Sequence, residues 1–219
     1  MFSVTTISLV ICLSAMLHMS DGKKKYGPKK NKYLEEDKYP HVLPVTEDDK
    51  TEIANAHNDL RRNVWPSAAN MYKIVWNEEA AFNAMKHAAK CVKGHSDIKC
   101  REITRPAPYS CGENMFFSSA ITPWTEVIQD WDSEKEDFTY GVGGGFKTVG
   151  HYTQVAWWNS VYVGCGAAKC DNLKYPYVYV CHYCPIGNDY DTQNKPYLKG
   201  RWCSKCSNKE TCEDKLCVK

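Results

Sequence analysis

Cysteine usage constrains this chain before anything else: 12 of its 219 residues are cysteine, a density that belongs to oxidising compartments or to metal-binding chains. The first residues point to secretion. Met1 to Met19, MFSVTTISLVICLSAMLHM, is an uncharged, largely apolar run followed by Asp21, Gly22 and three lysines. That is the pattern of a signal peptide over residues 1–22, with Ser20 and Gly22 supplying the small residues for cleavage after Gly22. An uncleaved anchor is the rival, but its apolar core of about 16 residues falls short of the roughly 20 a membrane span requires. Nothing later in the sequence approaches a spanning segment, so a secreted, extracellular protein is expected.

With Cys12 inside that leader, the remaining cysteines stand at 91, 100, 111, 165, 170, 181, 184, 203, 206, 212 and 217, an odd number. Cys181-x2-Cys184 and Cys203-x2-Cys206 have the spacing of a zinc ribbon. Seven further cysteines in a secreted chain favour a disulfide framework instead. Composition is otherwise that of a globular protein, 43% hydrophobic and 25% charged, which excludes disorder and collagen. A formal net charge of +2 gives no footprint for nucleic acid. The exception is residues 23–45, a basic N-terminal arm in which Lys23, Lys24, Lys25, Lys29, Lys30 and Lys32 crowd together without apolar periodicity. It reads either as a solvated tail or as a contact for acidic glycans or membranes. No Asn-x-Ser/Thr sequon occurs.

Three helices are signalled. The first has Thr46 as N-cap, acids in its first turn, Ile53, His57, Leu60 and Val64 at helical spacing, and Pro66 beyond its end. The second has Asn77 as cap, with Ala81, Met85, Ala88 and Val92 on one face and Gly94 as its stop, directly before His95. The third opens at Thr122 with Pro123 at its first position. Its apolar arc runs through Trp124, Val127, Trp131 and Phe138 and is interrupted by Glu134. Of the acids nearby, only Glu134 is predicted to point inward, and a buried carboxylate needs a partner. The texture then changes to the cluster Gly141, Gly143, Gly144 and Gly145, which reads as a flexible loop, then GHYTQVAWW, then strand-like runs such as YPYVYVCHYC. Helices followed by strands predict an α+β fold. After Pro185 the chain reads as a polar linker to a short tail that cannot build a core without cross-links.

Four motifs together resemble one family: HNDLRR at 57–62, CGEN at 111–114, GHYTQVAW at 150–157 and YVYVCHYCPIGN at 177–188. They are those of the cysteine-rich secretory proteins of the CAP superfamily. The resemblance covers about residues 46–217 and implies a three-layer α-β-α sandwich over 46–188, followed by a linker and truncated disulfide-rich hinge over 189–219. It implies the pairs Cys91–Cys170, Cys111–Cys184, Cys165–Cys181, Cys203–Cys212 and Cys206–Cys217, each contributing roughly 2 to 4 kcal/mol. Cys100 has no counterpart and is left over, as a free or an intermolecular thiol. Longer members continue into a six-cysteine module associated with ion-channel block, which puts channel blockade by this chain in doubt.

The family's cleft maps onto His95, Glu113, Glu134 and His151. Two imidazoles with two carboxylates suit zinc, or a polarised water, or a polar network that only holds the cleft together. No HExxH, G-x-S-x-G or nucleophile beside a histidine is present, so no catalytic residue is assigned and a non-enzymatic protein is expected. His57, although within a motif, is expected to be a satisfied core histidine. For short members of the family, the resemblance implies a diffusible sperm chemoattractant read by a cell-surface receptor. A toxin-like channel modulator and a zinc-dependent protease are the alternatives.

Overall fold

The computed structural model describes residue 39 and residues 41–219. The leader over 1–22 and the six arm lysines lie outside the described residues. In chain order the elements are β1 (Val42–Leu43), α1 (Glu47–Arg62), β2 (Val75–Trp76), α2 (Glu78–Ala88), β3 (Glu102–Ile103), β4 (Tyr109–Ser110), β5 (Gly112–Ser118), α3 (Trp124–Ser133), α4 (Gly150–Val155), β6 (Tyr162–Lys169), β7 (Tyr177–Cys184), β8 (Thr211–Glu213) and β9 (Leu216–Val218). The main sheet runs β1-β6-β7-β5, with β2 also on β6. All pairings within it are antiparallel except β2–β6.

Three layers follow from the alternation of side chains along β6 and β7. Val163, Cys165, Ala167, Tyr179, Cys181 and Tyr183 face one way, into a core with Ile53 of α1, Trp124, Val127, Ile128 and Trp131 of α3, and Val155 of α4. Ala168, Val178 and Val180 face the other way, against Ala84 and Ala88 of α2. On that second face β6 carries Gly164 and Gly166, where a Cβ would overlap the backbone of Ala81 or Met85. The missing side chains let α2 lie directly on the sheet.

The helix starts follow local chemistry. Thr46 and Asp49 form a reciprocal capping box, and Asn77 Oδ1 accepts from Ala80 N–H at 2.9 Å, each cap being worth about 1 kcal/mol. Two expectations are corrected. α2 ends at Ala88 rather than near Gly94, which leaves Val92 outside the helix and exposed. Pro123, not Thr122, occupies the N-cap of α3, because the Thr122 hydroxyl donates to Ser118 Oγ and Ala120 O instead.

Between described residues five bridges are present, Cys91–Cys170, Cys111–Cys184, Cys165–Cys181, Cys203–Cys212 and Cys206–Cys217, the same pairs the resemblance implies. Cys165 and Cys181 are directly opposed across β6 and β7. Cys100 is a correction: among the described residues no cysteine is free, and Cys100 is itself disulfide-bonded. The tail also borrows core from the body. Leu216 is buried with Ala68, Met71, Tyr152, Ala156 and Tyr197, and Cys217 N–H donates to Met71 O while Lys73 N–H donates to Cys217 O.

Candidate functional site

Glu113 and Asn114, neighbours on β5, point to opposite faces of the sheet and organise the two halves of the site. On the α2 side the Glu113 carboxylate is fully buried. Oε1 accepts from His95 Nδ1 at 2.8 Å and Ser96 N–H at 2.9 Å, and Oε2 accepts from Ser96 Oγ at 2.6 Å and His182 Nε2 at 2.9 Å. The Arg101 guanidinium stands 3.5 Å from Oε1. Strand register builds this cluster, since Glu113 is the cross-strand partner of His182. Burial alone would raise the Glu113 pKa, but the hydrogen bonds from His182, His95 and Ser96 hold it well below the ordinary carboxylate range. Burial pushes His182 down and keeps it neutral, so its Nε2–H donates to the carboxylate.

On the opposite face, Glu134 follows α3 and reaches the start of α4. Its Oε2 accepts from the backbone N–H groups of His151 and Tyr152 at 2.9 and 3.1 Å, and Oε1 accepts from His151 Nδ1 at 2.8 Å. A carboxylate thus caps a helix whose own sequence offers no side-chain cap. The His151 ring stacks on Trp131 at 6.3 Å between centroids. Asn114 Nδ2 donates to His151 O at 3.1 Å and lies 3.4 Å from Tyr183 Oη. Tyr183 Oη in turn lies 2.9 Å from His57 Nε2. His57 is fully buried, its Nδ1–H donates to Ile53 O at 2.8 Å, and burial lowers its pKa to about 4. It is a neutral core histidine, as the sequence suggests.

Each of His95 and His151 therefore gives Nδ1–H to a carboxylate, and neither Nε2 has a partner among the described residues. The two side chains are 60% and 31% exposed. A histidine whose second nitrogen is pinned by a carboxylate is the arrangement that metal-ligating imidazoles adopt. In this respect each imidazole taken singly has the form of a zinc ligand, with Glu113 orienting His95 and Glu134 orienting His151. The set is not a closed cage. Among the described residues, only Cys203, Cys206 and Cys217 bring three potential ligand atoms within 4.8 Å of one another, and those sulfurs are consumed in bridges.

Nothing in this arrangement activates a nucleophile. The hydroxyl next to His95, that of Ser96, is buried and donates to Glu113 rather than to an imidazole. Sequence reasoning brought forward His95, Glu113, Glu134 and His151 but missed Ser96, Arg101, Asn114 and His182. Of these, only His182 had a local signal, since alternation along YVYVCHYC places it on the α2 face with Val178 and Val180. Asp132, expected to point outward, is buried with its carboxylate on Lys135 Nζ at 2.6 Å.

Residues 54–183 match the cysteine-rich secretory protein family, CAP. The chain is 41% identical to Allurin of Xenopus tropicalis over 97% of both chains. It is 39% identical to the cysteine-rich venom protein helothermine of Heloderma horridum horridum over 97% of this chain and 82% of that one. Among solved structures it resembles NaASP2 crystallised with Zn2+, with a TM-score of 0.62 and 30% identity over 80% of this chain and 97% of that one. The three-layer fold, the five bridges and the match over most of the folded residues lead to one conclusion: this chain belongs to the cysteine-rich secretory protein family.

Proposed function

We propose that this protein is a secreted, non-enzymatic ligand acting in reproduction as a sperm chemoattractant, recognised by a receptor on the sperm surface. The likeness to Allurin along 97% of both chains carries the reading. It is joined by the role that the sequence resemblance implies for short members of the family. The disulfides of the described residues suit a protein that must persist outside cells, and no described helix is long and apolar enough to cross a membrane. A site with two imidazoles and no presented nucleophile favours binding over turnover. In this reading His95 and His151 hold zinc weakly, and the lysine arm supplies retention on acidic extracellular glycans. Purified protein with native disulfides, placed in one chamber of a two-chamber assay, is the test: directed sperm migration is expected.

The likeness to helothermine favours a second reading, a toxin-like modulator of ion channels. Current recordings separate the two. Altered currents in the absence of migration would replace the first reading with the second. Peptide-library digestion addresses the remaining alternative, a zinc-dependent protease: no cleavage that depends on Glu113 or Glu134 is expected.

A further inference from the structure

Residues 199–219 carry six cations, Lys199, Arg201, Lys205, Lys209, Lys215 and Lys219, against three acids, Glu210, Glu213 and Asp214. The structure sorts them. Every acid is engaged: Glu213 with Lys73 at 3.2 Å, Asp214 with Arg62 at 2.6 Å, and Glu210 by Tyr72 Oη–H at 2.6 Å and Ser207 N–H at 2.7 Å. Three of these four contacts tie the tail to the body. Lys199, Arg201, Lys205 and Lys209 are exposed and form no ion pair among the described residues. Lys215 lies with Nζ 4.7 Å from the ring centre of Trp202, a tryptophan that remains 48% exposed. Charge is thus segregated, with acids spent on the body and cations left toward solvent.

The segment that holds them is rigid. Cys203–Cys212 and Cys206–Cys217 fix it at both ends. Reverse turns close it, with Ser204 N–H donating to Arg201 O at 3.1 Å and Cys206 N–H to Cys203 O at 3.3 Å, while Lys205 N–H donates to Ala69 O at 2.9 Å. Cations displayed on a cross-linked frame lose less backbone entropy on capture than those on a loose tail. We propose that this cross-linked tail segment, through Lys199, Arg201, Lys205 and the Lys215–Trp202 pair, is a binding site for sulfated glycosaminoglycans. Arg201 offers the planar fork that matches an oxyanion, the lysines offer point charges, and Trp202 offers a ring for a sugar face. Anionic membranes fit less well, because acidic lipids face the cytoplasm and a secreted protein meets the other leaflet. Trp202 and Leu198 are also too few exposed apolar residues for interfacial insertion. The inference extends the glycan contact proposed for the arm to residues of the folded body, and it stands or falls separately from the arm and from the chemotactic reading.

Heparin affinity of the secreted protein tests it, with the arm deleted over residues 23–32 so that only the body is read. A Lys199→Gln, Arg201→Gln, Lys205→Gln variant is compared with a charge-matched control, Lys90→Gln, Lys93→Gln, Lys174→Gln, on exposed lysines elsewhere. The tail variant is expected to bind heparin roughly tenfold or more weakly, as loss of three cations from a polyanion contact implies, while the control changes little. Intact disulfides and an unchanged circular dichroism spectrum confirm folding of both. Trp202→Ala, which leaves charge untouched, is expected to weaken binding as well. Equal losses in the tail variant and the control, or no retention by the arm-deleted protein, would overturn the proposal. So would binding to phosphatidylserine vesicles without binding to heparin.

Discussion

Acid should destabilise this fold through one core residue, His57. The imidazole is fully buried and neutral, with Nδ1–H bonded to Ile53 O and Nε2 facing Tyr183 Oη. Its pKa is lowered from 6.5 to about 4 by burial, with the nearby Arg61 charge acting in the same direction. The unfolded chain therefore binds the proton first as pH falls. The stability His57 contributes is fully present above about pH 6.5 and is lost progressively as pH falls to about 4. A difference of about 2.5 pH units at 1.36 kcal/mol each is roughly 3 kcal/mol. The perturbation is His57→Gln, which keeps an acceptor for Tyr183 but cannot titrate. At pH 7 it should cost about 1 to 2 kcal/mol for the lost bond to Ile53 O and imperfect packing. Urea unfolding with disulfides intact, at pH 7, 5.5 and 4, reads both numbers. Burial also lowers His87 and His182, and hydrogen bonds lower Glu113, but these groups are common to both proteins, so the difference between the two pH profiles isolates His57. The variant should lose roughly 3 kcal/mol less than the parent between pH 7 and 4. Parallel profiles would refute the reasoning.

Glu113→Gln should destabilise the protein by about 3 kcal/mol at pH 7, because it removes one partner from a buried charge cluster; thermal unfolding should register a fall of several degrees. Arg61 is 1% exposed and donates to the carbonyls of Tyr72, Val155, Trp157 and Trp158, so Arg61→Met, which orphans them, should cost at least about 3 kcal/mol in the same assay. Gly164→Ala places a Cβ against the α2 backbone and should cost about 1 to 3 kcal/mol by overpacking. Calorimetric titration with zinc should show weak uptake that fades with acid and disappears in a His95→Ala, His151→Ala double variant; equal uptake by that variant would remove the assignment.

Features set by neighbours in sequence were legible in advance. Thr46 and Asn77 announced their helices because a cap bonds to residues three positions on. Glu134 betrayed itself by breaking an apolar arc. What escaped depends on distant parts of the chain. α4 has six residues and no cap of its own, and its N-terminal N–H groups are satisfied by Glu134 from beyond the glycine loop, so GHYTQV carried no helix signal. His182 becomes a partner of Glu113 only through the β5–β7 register, which no single strand reveals. Periodicity set the face that α3 turns to the sheet but could not show that Asp132, on its flank, is covered as well. The disulfide pairs came from the family resemblance alone. Counting left Cys100 over, whereas the structure uses it.

Directed sperm migration remains the most direct measurement of the central claim. A gradient of purified, fully oxidised protein in a two-chamber assay, with sperm from the same species, should draw cells up the gradient. Deletion of residues 23–32 should leave that migration largely intact while weakening retention on heparin at low salt, since exposed lysine contacts are screened by ions and packed receptor contacts much less. No directed migration at any concentration, together with altered channel currents in the same preparation, would contradict the account.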